Sequence, residues 1–322
     1  MNRKVLNFDA LEENLKIYSN KKVCAMVKAN AYGHGVKEVV SFLKDKVEYF
    51  GVCSFQEALE VRKICDTKIL IVSPFVDIEK CKTFGFEFFV QDLKSLEKAK
   101  RNEALNLIHL KINTGMNRFG FNSDDKVTLK KLKLFLKDEK IAGICTHFSE
   151  TSDKKITKMQ YKKFLRVKKF LGIKTLTHLG GSGVIDYKFD YDMIRVGIGL
   201  YNKKHQVMQI ESRILDIKNL NSGKLGYDGR FEVKTPCKIA IVPIGYADGL
   251  PRLSSGCFVE INEKRGKIVG NVCMDVCFVD VTNVPCRVGD KVNILPNVND
   301  LAKKCKTSEY EVFTNFNNLR ER

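Results

Sequence analysis

Short apolar runs alternate with stretches of helical spacing over the first two thirds of the chain. The runs Val23–Val27, Tyr49–Ser54, Lys68–Val72, Phe86–Val90, Leu107–Ile112, Ile141–Thr146, Thr175–His178 and Ile194–Gly197 have the length and side-chain content of buried strands. Between them, Val36–Asp45, Gln56–Cys65, Asp77–Phe84, Asp92–Arg101, Asp124–Asp138 and Ile156–Leu171 repeat apolar residues at the spacing of a one-sided helix. Several of these open on an Asp or Ser able to cap a first turn. Eight strands alternating with helices over about two hundred residues is the arithmetic of a (β/α)8 barrel. A doubly wound open sheet is the alternative, and the near-regular repeat favours closure.

Past about residue 205 the pattern changes. Met208–Ile217, Lys238–Pro243, Cys257–Ile261, Lys267–Val269, Cys277–Val281 and Lys291–Ile294 read as strands parted by Gly, Asn and Pro turns, and Asn297–Cys305 as a short helix. The expectation is therefore an α/β chain: a (β/α)8 TIM-type barrel over residues 1–210 and a C-terminal all-β domain over 211–322.

Composition narrows the function classes. The net charge is +18, from 56 Lys and Arg against 38 Asp and Glu. The densest clusters, around Lys130–Lys137 and Lys162–Lys169, fall on helical segments and read as solvated faces rather than a nucleic-acid footprint. Such a field suits capture of phosphates and carboxylates. No apolar run approaches a membrane span, and the start lacks the apolar core of a secretory signal. The 11 cysteines include no Cys-x-x-Cys pair, which points to reduced thiols, no metal site and a cytoplasmic setting.

The chemistry concentrates at predicted strand ends, where a barrel builds its active site. The first strand stops at Lys28, and a glycine-bearing turn with Tyr32 and His34 follows. A lysine held there becomes a nucleophilic amine once desolvated and can form a Schiff base with an aldehyde cofactor. Strand five carries Lys111 and runs into Asn113-Thr114-Gly115-Met116-Asn117-Arg118. Strand six ends in Thr146-His147-Phe148, and strand seven in His178-Leu179-Gly180-Gly181-Ser182-Gly183. Strand eight carries Arg195, then Gly197-Ile198-Gly199. Glycine turns after strands seven and eight offer backbone N–H groups and the Ser182 hydroxyl to a phosphate, a usual place for one in barrels. An aldehyde that also carries a phosphate is pyridoxal 5'-phosphate.

The stretch AMVKANAYGHG around Lys28 resembles the pyridoxal-phosphate lysine motif of alanine racemases. LKINTGMNRFGF, THFSETSD, MIRVGIGLYN, VPIGYADGLPR and VGNVCMDV resemble further motifs of that family, in the same order. The resemblance covers residues from about 3 to about 312. It implies a barrel plus a β domain, a head-to-tail homodimer with shared active sites, and interconversion of L- and D-alanine for cell-wall peptidoglycan. By position it implies Lys28 and Tyr246 as the two catalytic bases, Tyr246 coming from the partner subunit. Arg118 and the backbone of Met274 would bind the substrate carboxylate. Tyr32, Ser182, Gly197 and Ile198 would hold the phosphate, while His147 and Arg195 would tune the cofactor ring and the Tyr246 hydroxyl. Lys111 matches a lysine often carbamylated in the family. Departures are Asn113 for the usual Asp, Asn117 for a common Gly, Asn271 and Val276 around Cys273-Met274-Asp275, and an ending, Asn318-Leu319-Arg320-Glu321-Arg322, with Asn318 in place of a phosphate-reaching Tyr. A racemase of broader range, acting on serine or lysine, would use the same residues. A non-enzymatic pyridoxal-phosphate binding protein is a third reading, against which the β domain argues.

Overall fold

The structure, a computed structural model, describes residues 2–320. Glu321 and Arg322 of the unusual ending lie outside the described residues. The chain divides into two compact units, one of residues 12–31 and 36–203, the other of residues 2–11, 32–35 and 204–320.

The first unit is a closed parallel barrel. Its strands are β1 (Lys22–Met26), β2 (Tyr49–Val52), β3 (Lys68–Ile71), β4 (Glu87–Val90), β5 (Ile108–Asn113), β6 (Gly143–His147), β7 (Leu176–Gly180) and β8 (Met193–Val196). They pair in the order β4-β3-β2-β1-β8-β7-β6-β5, and β4 pairs with β5 to close the ring. All eight strands match the apolar runs of the sequence, because a strand covered on both faces needs a continuous apolar run. The helices begin where capping side chains permit. Ser54 and Glu57 form a reciprocal capping box, and Asp77, Asp92, Asp125 and Asp153 each accept a hydrogen bond from a first-turn N–H. Gly85 and Gly172 end two of them in the left-handed conformation, at φ 66° and 70°.

The second unit is built on an eight-stranded antiparallel sheet. Its order is Arg3–Leu6, Met208–Arg213, Lys291–Asn293, Phe258–Ile261, Lys264–Val269, Cys277–Asp280, Cys237–Val242 and Asp216–Leu220. The predicted run Met208–Ile217 is thus two strands, parted at Ile214–Leu215. The strand Arg3–Leu6, the helix Phe8–Lys16, the small hairpin of Gly223–Leu225 with Phe231–Val233, and the helix Glu309–Asn315 were not expected from the sequence. Val259, Val279, Phe313 and Phe316 are among the side chains fully buried in this unit. No helix of the described residues is long and apolar enough to cross a membrane.

Candidate active site

Lys28 lies just past the end of β1 and is half-buried. The turn it begins is unusual. Ala29, Asn30, Ala31 and Tyr32 have φ of 52°, 54°, 53° and 55°, a turn of left-handed helix made without glycine. Each non-glycine residue there costs about 1–2 kcal/mol. The turn is anchored: the N–H of Ala29 donates to Glu57 Oε1 at 2.7 Å, that of Ala31 to the Val27 carbonyl at 2.8 Å, and that of Val36 to Asn30 Oδ1 at 2.7 Å. Gly33 and Gly35, at φ 84° and 108°, follow the left-handed run in the expected turn with Tyr32 and His34. Strain held by several bonds beside one amine fits a site whose geometry matters.

Inside the barrel runs a column of polar side chains. His109 and Lys111 stand two apart on β5, so both face the same way. Lys111 is 5% exposed, and its Nζ has no hydrogen-bond partner among the described residues. Burial lowers its pKa to about 7, with the positive charges of Arg195 and Arg118 adding to the shift against the Cys145 thiol. Nζ also lies 5.7 Å from the centre of the Phe89 ring, and the Arg195 guanidinium 5.5 Å from it.

Arg195, on β8, is buried and held from two sides. Nη2 donates to the Thr146 carbonyl and Nη1 to His178 Nδ1, each at 2.6 Å. His178 Nε2 lies 2.8 Å from His109 Nδ1, and His109 Nε2 lies 2.6 Å from Glu87 Oε2. His178 sits in the middle of β7 rather than at its end. His147 closes β6 next to Gly180 of β7, where a Cβ would collide with both His147 and Arg195. Burial, then the charges of Lys111, Arg195, Arg118 and Lys28, hold His147 well below its ordinary pKa, so its ring is neutral at neutral pH.

Arg118 is exposed, on a turn explained by two of the sequence departures. Asn113 Oδ1 accepts from the N–H groups of Gly115 and Asn117 at 3.1 and 3.0 Å, while its amide donates to Asn117 Oδ1 at 3.0 Å. Asn117 is left-handed, at φ 54°, a conformation asparagine tolerates better than most residues. An aspartate at 113 could not make the donated bond, so the two asparagines act as a pair.

The glycine turns after β7 and β8 lie together. The Gly199 N–H donates to Ser182 Oγ at 3.0 Å, and a Cβ on Gly199 would strike Ser182 and Tyr18. Ser182 and Ile198 are both 9% exposed. Gly197 is the cap residue of the short helix Ile198–Tyr201.

The other expected residues belong to the second unit. Tyr246 is 45% exposed and Met274 51%. Their turns are laced together: the N–H of Tyr246 donates to the Cys273 carbonyl at 3.0 Å and that of Ala247 to the Met274 carbonyl at 3.2 Å. Arg320, from the unusual ending, fastens both turns. Its Nε donates to the fully buried Asp248 at 2.6 Å, and its Nη2 reaches Asp275 at 3.0 Å and the Met274 carbonyl at 3.4 Å. Asn318 lines the same 390 Å³ cleft as Tyr246. Tyr32 packs 5.9 Å from the Tyr310 ring.

Sequence reasoning overlooked Glu87, the pairing of His109 with His178, and Arg320. The spacing His109-x-Lys111 was a usable signal, since period two sends both side chains into the barrel. Glu87 and Arg320 carried none, because nothing local marks a strand-opening Glu or a terminal Arg.

The residues present suit pyridoxal phosphate: an amine at the barrel mouth, a serine and close glycine turns for a phosphate, and a cationic interior for an anionic ligand. Comparison with known proteins agrees. Residues 6–204 match the family described as alanine racemase, N-terminal domain, and residues 207–322 the one described as alanine racemase, C-terminal domain. An alanine racemase of Borreliella burgdorferi is 32% identical over 99% of this chain and 95% of that protein. The alanine racemase 2 of Caldanaerobacter subterraneus is 34% identical over 96% and 90%. A solved alanine racemase from Acinetobacter baumannii has a TM-score of 0.88 at 29% identity, over 98% of this chain and 96% of that one.

Proposed function

Since the chain belongs to the alanine racemase family, whose enzymes depend on pyridoxal phosphate, we propose that it interconverts L- and D-alanine with Lys28 and Tyr246 as opposed bases, supplying D-alanine for peptidoglycan. The observation that carries this reading is the gathering of Lys28, Lys111, Arg118 and Arg195 around one neutral histidine, His147. An amine for an aldehyde, a guanidinium for a carboxylate and a serine with glycine turns for a phosphate match an amino acid joined to that cofactor.

When bound, pyridoxal phosphate supplies an electron sink that acidifies the Cα proton of an attached amino acid. Lys28 Nζ takes or returns that proton on one face, and Tyr246 Oη does so on the other. A tyrosine hydroxyl has an ordinary pKa near 10 and needs a partner to serve as a base at neutral pH. Neutral His147 would accept a hydrogen bond from it, and the positive charges about that ring would favour the phenolate. Arg118 pairs with the substrate carboxylate, and the Met274 N–H adds a donor to it. Tyr32, Ser182, Gly197 and Ile198 would hold the phosphate. Arg195, a permanent donor, would meet the ring nitrogen and leave it unprotonated, which would temper electron withdrawal and disfavour transamination.

Lys111 is proposed to carry a carbamate. A buried amine with a pKa about 7 is in good part neutral near neutral pH and attacks CO2. The N–C bond forms as one proton leaves, and the new anion pairs with Arg118. Protein equilibrated with 13C-bicarbonate is expected to show one protected carbamate carbon resonance, absent in Lys111→Met. No resonance in the wild type would refute it.

Tyr246 stands exposed on the second unit and Lys28 on the first. This supports a homodimer in which each barrel receives Tyr246 from the partner subunit; the setting proposed for it is the cytoplasm, with a small-molecule substrate. The direct test incubates purified protein with L-alanine and follows D-alanine, then reduces the holoenzyme with borohydride and maps the fixed label. Label on Lys28 with D-alanine formed supports the reading; label elsewhere overturns the site.

A further inference from the structure

The column from Glu87 to Arg195 has a direction that follows from donor chemistry alone. A guanidinium can only donate, so His178 Nδ1, 2.6 Å from Arg195 Nη1, must be a bare acceptor. The neutral His178 ring then carries its proton on Nε2 and gives that bond to His109 Nδ1 at 2.8 Å. His109 in turn carries its proton on Nε2 and donates to Glu87 Oε2 at 2.6 Å. Only an acceptor at the far end lets every link point the same way. Resting on the racemase reading of Arg195, we propose that Glu87 is a positioning residue for the reaction: from the opposite end of the column it accepts the last bond, holds both rings in the tautomer that the Arg195 donor imposes and so keeps Arg195 aimed.

The surroundings suit that task. His109 and His178 are fully buried, and Glu87 is 6% exposed. Glu87 opens β4, so it lies at the strand-start end of the barrel, away from the mouth where Lys28 sits. Its second oxygen accepts from Tyr49 Oη at 3.3 Å and Lys68 Nζ at 3.2 Å, which pins the carboxylate. Burial alone would raise the Glu87 pKa, but His109 and Lys68 bring it below its ordinary value; burial also pushes both histidines down. The column is therefore an anion and a cation joined through two neutral rings. Gly143 makes room for it, since a Cβ there would overlap the His109 ring.

The chain has five histidines, so side-chain 15N NMR of the full-length protein can resolve each ring. In the wild type, His109 and His178 are expected as neutral Nε2–H tautomers. Glu87→Ala removes the terminal acceptor but not the Arg195 donor; the His109 Nε2–H signal should move upfield as its bond is lost, with kcat down about 10–100-fold, the range for a lost hydrogen bond to a charged group, and KM for alanine little changed. Glu87→Gln keeps an acceptor oxygen and should restore the hydrogen-bonded His109 Nε2–H signal and most of kcat. An Nδ1–H or doubly protonated ring at His109 or His178 in the wild type overturns the proposal. So does Glu87→Ala with an unchanged His109 Nε2–H signal and rate, or Glu87→Gln with the signal of the alanine variant. If Glu87→Ala fails to fold, the wild-type and Glu87→Gln spectra decide alone. Expected spectra in a protein that does not racemise alanine would refute the proposed function and leave the directed column standing.

Discussion

A lysine amine enclosed beside guanidinium groups releases its proton far more readily than one in water, and Lys111 is held in that way. Its pKa falls from 10.5 to about 7, so the unfolded chain binds the extra proton between those values. Stability then rises with pH through that window, by up to about 1.4 kcal/mol per unit from this group. Lys111→Met should remove that slope and stabilise the protein most below pH 7. Chemical denaturation of both proteins in bicarbonate-free buffer at pH 6.5 and 9 measures it; equal slopes would contradict the burial argument. At Tyr246 the expectation is kinetic. Tyr246→Phe keeps the ring and loses the hydroxyl, so racemisation should slow about 10²–10⁴-fold. Exchange of the D-alanine Cα proton with solvent, assigned to Lys28, should survive; equal loss of exchange and racemisation would argue against two bases. The residues at strand ends were readable because each sits in a motif that local sequence displays. Glu87 was not, because its partner His109 lies 22 positions away and only barrel closure joins them.

Elements were legible where burial is two-sided. Each barrel strand shows itself as an apolar run, and each long helix as a stripe with a cap. Arg3–Leu6 escaped notice because RKVL is short, partly polar and becomes a strand only by pairing with residues some two hundred positions later. The left-handed turn after Lys28 escaped it too, since Ala-Asn-Ala reads as ordinary helix or coil and its hand is imposed by Glu57 and Asn30. That turn reverses the usual rule for glycine. Ala29→Gly should stabilise the protein by up to about 1 kcal/mol rather than weaken it, because glycine pays no steric penalty at φ 52°. Denaturant midpoints with an unchanged slope would show this, and a loss of stability would mean that the anchors set something other than hand. In the phosphate cradle, Ser182→Ala removes the acceptor of the Gly199 N–H and the proposed hydroxyl donor together. Cofactor should be retained roughly 10–100-fold less tightly, read by dialysis and absorbance; unchanged retention would move the phosphate elsewhere.

At the scale of the whole molecule, the shared-site proposal makes a prediction that no single subunit can satisfy. Lys28→Ala and Tyr246→Phe should each be inactive, and mixing them should restore partial activity, because some hybrid dimers would hold one unaltered site. No recovery after demonstrated subunit exchange would defeat the model. One feature of the second unit also governs the order in which the molecule can be made. Its sheet opens with Arg3–Leu6 against Met208–Arg213, so nearly the entire barrel sequence lies between two neighbouring strands. A chain leaving the ribosome must carry its first strand unpaired while residues 12–203 emerge, and the barrel has every strand it needs before the sheet has its second. The unit that carries Tyr246 can therefore only be finished last. Deleting residues 2–7 should spare the barrel and leave the Met208–Arg213 edge bare, where it would pair with other chains.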